Sequence, residues 1–211
     1  MKRLCVLACA SLISAVGHAS ISFVNSTASY GFAGITVDED FESFSPKDTS
    51  LASVDTPGIL FTPITLNVFV SSPGYTNYGI TGATASSILT TSGDEDYKGT
   101  LKVTARRLGF DIYTIDDPGS PNSVPGAPPV RVTVTSTTEF ATYDIPAPSG
   151  NFGFLGIVSD DPIVEFTWYG QSGGVRNTGI DNTRISSVVP EPATMAALAV
   201  GVAAMFRRRK R

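Results

Sequence analysis

Asp38, Asp40 and Glu42 stand at two-residue spacing. In an extended chain alternate side chains share a face, so three carboxylates there repel unless a cation lies between them. Calcium takes oxygen ligands and tolerates irregular geometry, which makes it the expected ion. The stretch is not an EF-hand loop: its sixth position would be Ser43 instead of glycine, and its twelfth Thr49 instead of glutamate. A solvated acidic turn is the other reading. Asp94, Glu95 and Asp96 after Gly93 form a second acidic cluster and read as a solvated hairpin turn. A glycosidase needs two carboxyl groups roughly 5–9.5 Å apart, one with a raised pKa. Asp160, Asp161 and Glu165 are available for that work, but Asp161 precedes Pro162 in an expected turn, an ordinary structural use.

Carboxylate-pair chemistry is the one hydrolytic route left open. The only histidine is His18 and the only cysteines are Cys5 and Cys9, all within a segment that reads as removable. A mature chain without them has no Ser-His-Asp triad, no Cys-His pair, no His/Cys zinc site and no disulfide. Nucleic acid is excluded as a partner by charge. Formal net charge is −4, but seven of the 15 basic residues lie in residues 1–19 and 190–211. Residues 20–189 keep 8 basic against 18 acidic residues, a net charge of −10 with no basic patch.

The elements that must position any site begin with two addresses. Lys2 and Arg3 precede an apolar run over residues 4–16, and Gly17, His18 and Ala19 supply a small-residue cleavage site. Residues 1–19 therefore read as a secretory signal peptide cleaved after Ala19. A lipobox-like Val6, Leu7, Ala8 and Cys9 is the alternative, and cleavage there would leave too short a hydrophobic segment. At the other end, Pro190, Glu191 and Pro192 precede an apolar run over residues 193–206 with Thr194 as its one polar side chain. Arg207, Arg208, Arg209, Lys210 and Arg211 follow. A helix over that run spans roughly 21 Å, short of a bilayer core of ~30 Å, and snorkelling basic side chains with local thinning let it insert. The basic cluster stays cytoplasmic, which places residues 20–189 on the far side.

Residues 20–189 read as one antiparallel β-sandwich of about ten short strands, with no amphipathic helix. Residues 100–107 alternate Leu101, Val103 and Ala105 against Thr100, Lys102, Thr104 and Arg106. Gly109 then marks a bulge or bend before a strand over 108–115. Val132 and Val134 alternate with Arg131, Thr133 and Thr135. Further strands are expected at 140–145, 152–158, 163–169 and 178–188. Val164, Phe166 and Trp168 are expected to share the core face, with Glu165 and Thr167 outward. An exposed sugar-stacking platform is the other reading of Trp168, and its Val and Phe companions favour the core. Residues 116–129 hold five prolines and read as a long surface loop. Tyr75, Tyr78, Tyr97 and Tyr113 are expected in or near loops, where rings stack on sugars.

The tail, with Val189 before Pro190, Glu191 and Pro192, the short apolar helix and the five basic residues, resembles the PEP-CTERM sorting signal of exopolysaccharide-producing bacteria. The resemblance implies recognition by an exosortase-type processing enzyme, transient inner-membrane insertion, and release to the cell surface or extracellular matrix. A plain C-terminal membrane anchor is the alternative. Residues 153–156, Asp161 with Pro162, 163–169, and Gly179, Ile180, Asp181 and Asn182 resemble the jelly-roll, lectin-like domains that such proteins carry. Those folds imply carbohydrate binding and a structural calcium. In a jelly roll the first and last strands are neighbours, so Asp181 and Asn182 would complete a shell with Asp38, Asp40 and Glu42. The expected protein is an exported, non-enzymatic structural or polysaccharide-binding component. A secreted carbohydrate-active enzyme and a protein-binding adhesin are the other readings.

Overall fold

The structure, a computed structural model, describes residues 20–30, 34–65, 67–73, 86–91, 96–116, 130–145, 152–170 and 176–187. The signal segment through Ala19, residues 117–129 of the expected loop, Tyr75, Tyr78, and the tail with Pro190, Glu191, Pro192 and Arg207 to Arg211 lie outside them. The side chain of Tyr113 does so too.

The fold is all-β, as expected, and among the described residues every strand pairing is antiparallel. The strands are β1 (Ile21–Val24), β2 (Ile35–Glu39), β3 (Val54–Asp55), β4 (Ile59–Pro63), β5 (Val68–Ser71), β6 (Ile88–Thr91), β7 (Tyr97–Asp116), β8 (Val130–Ser136), β9 (Phe140–Ile145), β10 (Phe152–Tyr169) and β11 (Arg176–Ser186). One helical turn, α1 (Thr27–Tyr30), follows β1.

β7 and β10 are long strands where shorter ones were expected, and they hold the two layers together. The start of β7 pairs with β4 and with the end of β10, which pairs on to β8 and β9. This is the front layer. The end of β7 pairs with the start of β10, flanked by β1, and with β11, which leads to β2, β6 and β5. This is the back layer. Gly99 is the cross-strand partner of Phe166, and eleven residues of straight strand would carry the chain roughly 36 Å from Gly99 to Phe110. Yet the Phe110 and Phe166 ring centroids lie 5.0 Å apart. The strands therefore fold back, and the two layers enclose one core between them.

The structure departs from the sequence reading at Asp161 and Pro162, at Val164, at Gly109 and at Tyr97. Asp161 and Pro162 do not make a turn between two strands; they lie inside β10, where its register against β7 shifts between Val158 and Ile163. Extra residues there bend the strand, as bulges do. A further shift between Ile163 and Glu165 turns Val164 out of the core to 41% exposure, while Ile163, Phe166 and Trp168 stay in. Gly109 is not the bulge: it pairs regularly with Gly156 and lies under the Tyr30 ring, where a Cβ would come within 3.1 Å of that ring. Trp168 is fully buried, stacks on Tyr97 at 5.8 Å, and donates its indole N–H to Thr178 Oγ1 at 2.9 Å. Tyr97 is thus a core residue and no sugar platform.

Candidate functional site

The early acidic strand does lie beside the closing strand. β2 pairs with β11 so that Glu39 faces Thr183 and Asp38 faces Arg184. The expected shared face of Asp38, Asp40 and Glu42 does not form. The chain leaves extended geometry after Glu39, and Phe41 takes a left-handed backbone (φ 57°) that plants its ring in the core against Phe61. Glu39 Oε1 accepts the Phe41 N–H at 2.9 Å, and Asp40 Oδ1 accepts the Glu42 N–H at 3.0 Å. Such short-range carboxylate bonds are what Asp and Glu make in turns. Asp38 and Asp40 stay exposed.

Glu42 reaches a different place. Its carboxylate accepts the Ser87 N–H at 2.5 Å and the Ser87 hydroxyl at 3.1 Å, and pairs with Lys47 Nζ at 3.3 Å. The Ser87 backbone bond, with Lys47 behind it, holds the Glu42 carboxyl below the usual carboxylate range. The loop before β6 is tied by the same contacts to the turn after β2.

Asp181 and Asn182 occupy a bulge in β11, where the register against β7 shifts between Asp181 and Arg184. Asn182 takes a left-handed backbone (φ 45°), a conformation asparagine tolerates better than most residues. Asp181 is only 1% exposed and lies directly across from Asp111 of β7. Like charges facing each other across two strands repel. The protein answers with donors. Arg184 makes a bidentate bond to Asp111 at 2.9 and 3.0 Å. The Asn182 amide donates to Asp111 Oδ2 at 2.8 Å and to Asp181 Oδ2 at 3.2 Å. Asp181 also accepts from Ser86 Oγ at 2.5 Å and from the Asn182 N–H at 2.6 Å. Burial nonetheless pushes the Asp181 carboxyl up to about 6, with Asp111 and Glu42 adding to the rise against those hydrogen bonds.

This arrangement does not fit calcium. The ion would need several oxygens converging with their lone pairs free. Here Asn182 presents its NH2 group, Glu42 is occupied by Ser87 and Lys47, and Asp111 is neutralised by Arg184. Among the described residues, no group of three or more acidic, histidine or cysteine side chains is arranged to hold a metal. Two cations, Lys47 and Arg184, already answer the carboxylates that the ion would have used. Sequence reasoning missed Asp111, Arg184 and Ser86. The one signal for Asp111 was a lone carboxylate between Phe110 and Ile112 in an otherwise apolar strand.

The hydrolytic candidates are also engaged structurally. Asp160 accepts from the Ser20 backbone N–H and hydroxyl at 3.2 Å each, Asp161 accepts from Thr138 Oγ1 at 2.5 Å, and Glu165 pairs with Lys98 at 3.5 Å. Asp111 and Asp181 make a carboxylate pair, but Asp181 is buried away from any substrate. In the second acidic cluster, Asp96 accepts the Gly170 N–H at 2.9 Å, and Asp94 and Glu95 lie outside the described residues. A cleft of about 150 Å³ opens near the edge where β1 meets β9. Tyr143, Ile145, Leu155 and Phe154 line it with Asn25 as its polar group, and Phe23 stacks on Tyr143 at 5.1 Å.

Residues 188–211 match the family described as the PEP-CTERM protein-sorting motif. The match takes in Pro190, Glu191, Pro192 and the five terminal basic residues, and begins two residues after β11 ends. The motif marks an exported protein that is processed at the membrane by an exosortase. No curated protein sequence matches the chain. Two solved structures, both point mutants of family 29 carbohydrate binding modules, superpose with a TM-score of 0.32 and 12% identity. They cover 83% and 85% of this chain and 99% and 96% of their own.

Proposed function

We propose that this protein is a non-enzymatic component of the cell surface or exopolysaccharide matrix, and that its β-sandwich contacts polysaccharide. The observation that carries the reading is the sorting motif at 188–211, joined almost directly to a strand of the folded body. Cleavage there releases the sandwich with β11 intact. The non-enzymatic part is supported by the engagement of Asp160, Asp161, Glu165 and the buried Asp181 in structural hydrogen bonds and ion pairs.

Two measurements test it. The intact mass of the exported protein should lack residues 1–19 and most of 193–211; full-length chain retained in the membrane of an exosortase-positive host would leave only an anchored protein. The exported protein should co-sediment with exopolysaccharide purified from the producing bacterium and release no reducing sugar. Released sugar would favour the enzyme.

A further inference from the structure

We propose that the polysaccharide is met by the outer face of the front layer, across β9, β8, β10, β7 and β4; this inference rests on the polysaccharide reading above. The registers set outward side chains in straight rows perpendicular to the strands. Thr142 faces Thr133, Thr133 faces Thr167, Thr167 faces Lys98, and Lys98 faces Thr62. The next row runs Phe140, Thr135, Glu165, Thr100 and Leu60. A shorter third row holds Asp144, Arg131 and Tyr169. Four strand spacings make the face roughly 19 Å wide, and successive rows lie about 6.7 Å apart.

Three properties of this face match an uncharged, hydroxyl-rich chain. First, it is studded with threonine hydroxyls, each able to donate and accept, as sugar hydroxyls do. Thr133 Oγ1 lies 3.2 Å from Thr142 Oγ1; among the described residues the hydroxyls of Thr62, Thr100, Thr135 and Thr167 have no protein partner. Second, its charges cancel in place. Arg131 binds Asp144 through two bonds at 2.7 and 2.9 Å, and Lys98 pairs with Glu165 at 3.5 Å. A neutral face on a body of net charge −10 offers an anionic partner no attraction and suits a neutral polyol. Third, Phe140 at 74% exposure and Tyr169 at 39% stand at its margins, where aromatic rings can stack on the C–H faces of sugar rings. Many weak contacts repeated along a polymer add through effective concentration, so no deep pocket is required.

The test uses the exported protein, with microcrystalline cellulose and exopolysaccharide from the producing bacterium as probes in sedimentation. A triple Thr133→Val, Thr142→Val, Thr167→Val variant removes three hydroxyls while keeping β-branched shape, so the strands persist. Its association constant should fall about tenfold or more, as three modest hydrogen bonds require. Phe140→Ala, at a site too exposed to unfold the domain, should lower it severalfold, and Asn25→Ala in the cleft should not change it. Unchanged binding by the threonine triple and by Phe140→Ala, with the parent binding, overturns the assignment of this face and leaves the polysaccharide function standing. Failure of the parent to bind either probe removes the polysaccharide reading, and this inference with it.

Discussion

The two outer faces of the folded sheet share β7 and β10 yet treat polar side chains in opposite ways. The back face is covered. Tyr30 is fully buried on it, lying over Gly109 and Gly156, packed edge-on to Phe154 at 5.4 Å and beneath the Arg107 guanidinium at 4.6 Å. Burial pushes the Tyr30 hydroxyl up to about 12. Beside it lies the Asp111, Asp181, Asn182 and Arg184 network. The front face carries its polar groups in half-exposed rows with ion pairs open to water. The difference teaches where this protein stores stability and where it has surface left for a partner. Buried polar groups are costly to disturb; exposed ones are cheap to change.

The largest effect should follow from uncovering the back face. Tyr30→Ala removes a ring that fills the space above two glycines and leaves Arg107, only 5% exposed, without its aromatic partner. Aromatic truncation of this kind costs about 3–5 kcal/mol. Urea unfolding should show that loss. A change below ~1 kcal/mol would mean that the turn α1 does not cover the sheet in solution.

The second effect separates the faces by pH. Asp181 has its affinity raised from 3.8 to about 6, so its contribution to folding is fully present below pH ~4 and is lost as pH rises through about 6. Asp144 on the front face is held below its ordinary value by the Arg131 hydrogen bond. Its contribution has the opposite sign: present above pH ~4 and lost on acidification. Asp181→Asn should therefore match the parent near pH 4 and exceed it by about 1–2 kcal/mol at pH 8, after allowance for solvent reaching the adjoining Asp111. Parallel pH profiles for parent and variant would contradict the buried carboxyl.

Much of this contrast depends on facts that a single chain does not display. Alternation located β8 and set Thr133 and Thr135 on the face opposite Val132 and Val134, because that strand keeps period two from end to end. The burial of Trp168 followed from its Phe166 companion. Val164 was misplaced because one inserted residue reverses the parity, and nothing in its side chain signals a bulge. Asp161 and Pro162 have turn chemistry, but here neighbouring strands hold them in a bent β10. The Asp111–Asp181 pair joins residues 70 apart in the chain, and the threonine rows join five strands. Both follow from register, which local pattern does not fix.

The third effect is small and sharpens the front face. Phe140→Ala removes a ring that is 74% exposed and contributes little to the core. Its stability should stay within ~0.5 kcal/mol of the parent, and its melting temperature within about 2 °C. A loss comparable to that of Tyr30→Ala would show that a further element covers the front face, which would close it to any polymer.

The smallest expected effect is that of calcium. If the carboxylates around β11 held the ion, a free concentration 100 times Kd would stabilise the native state by roughly 2.7 kcal/mol. For a domain of this size that raises Tm by about 5–10 °C, and chelator reverses it. The geometry gives a different outcome. Arg184 already neutralises Asp111, Lys47 lies against Glu42, and Asp181 retains its proton well above the usual carboxylate range. An incoming divalent ion would have to displace two cations and turn the Asn182 amide around. Scanning calorimetry at pH 6, with millimolar calcium or with chelator, should therefore give the same Tm. A rise of several degrees that chelator reverses, and that Asp181→Asn removes, would show that the network rearranges around an ion. The back face would then be a metal site, while the front face would be untouched.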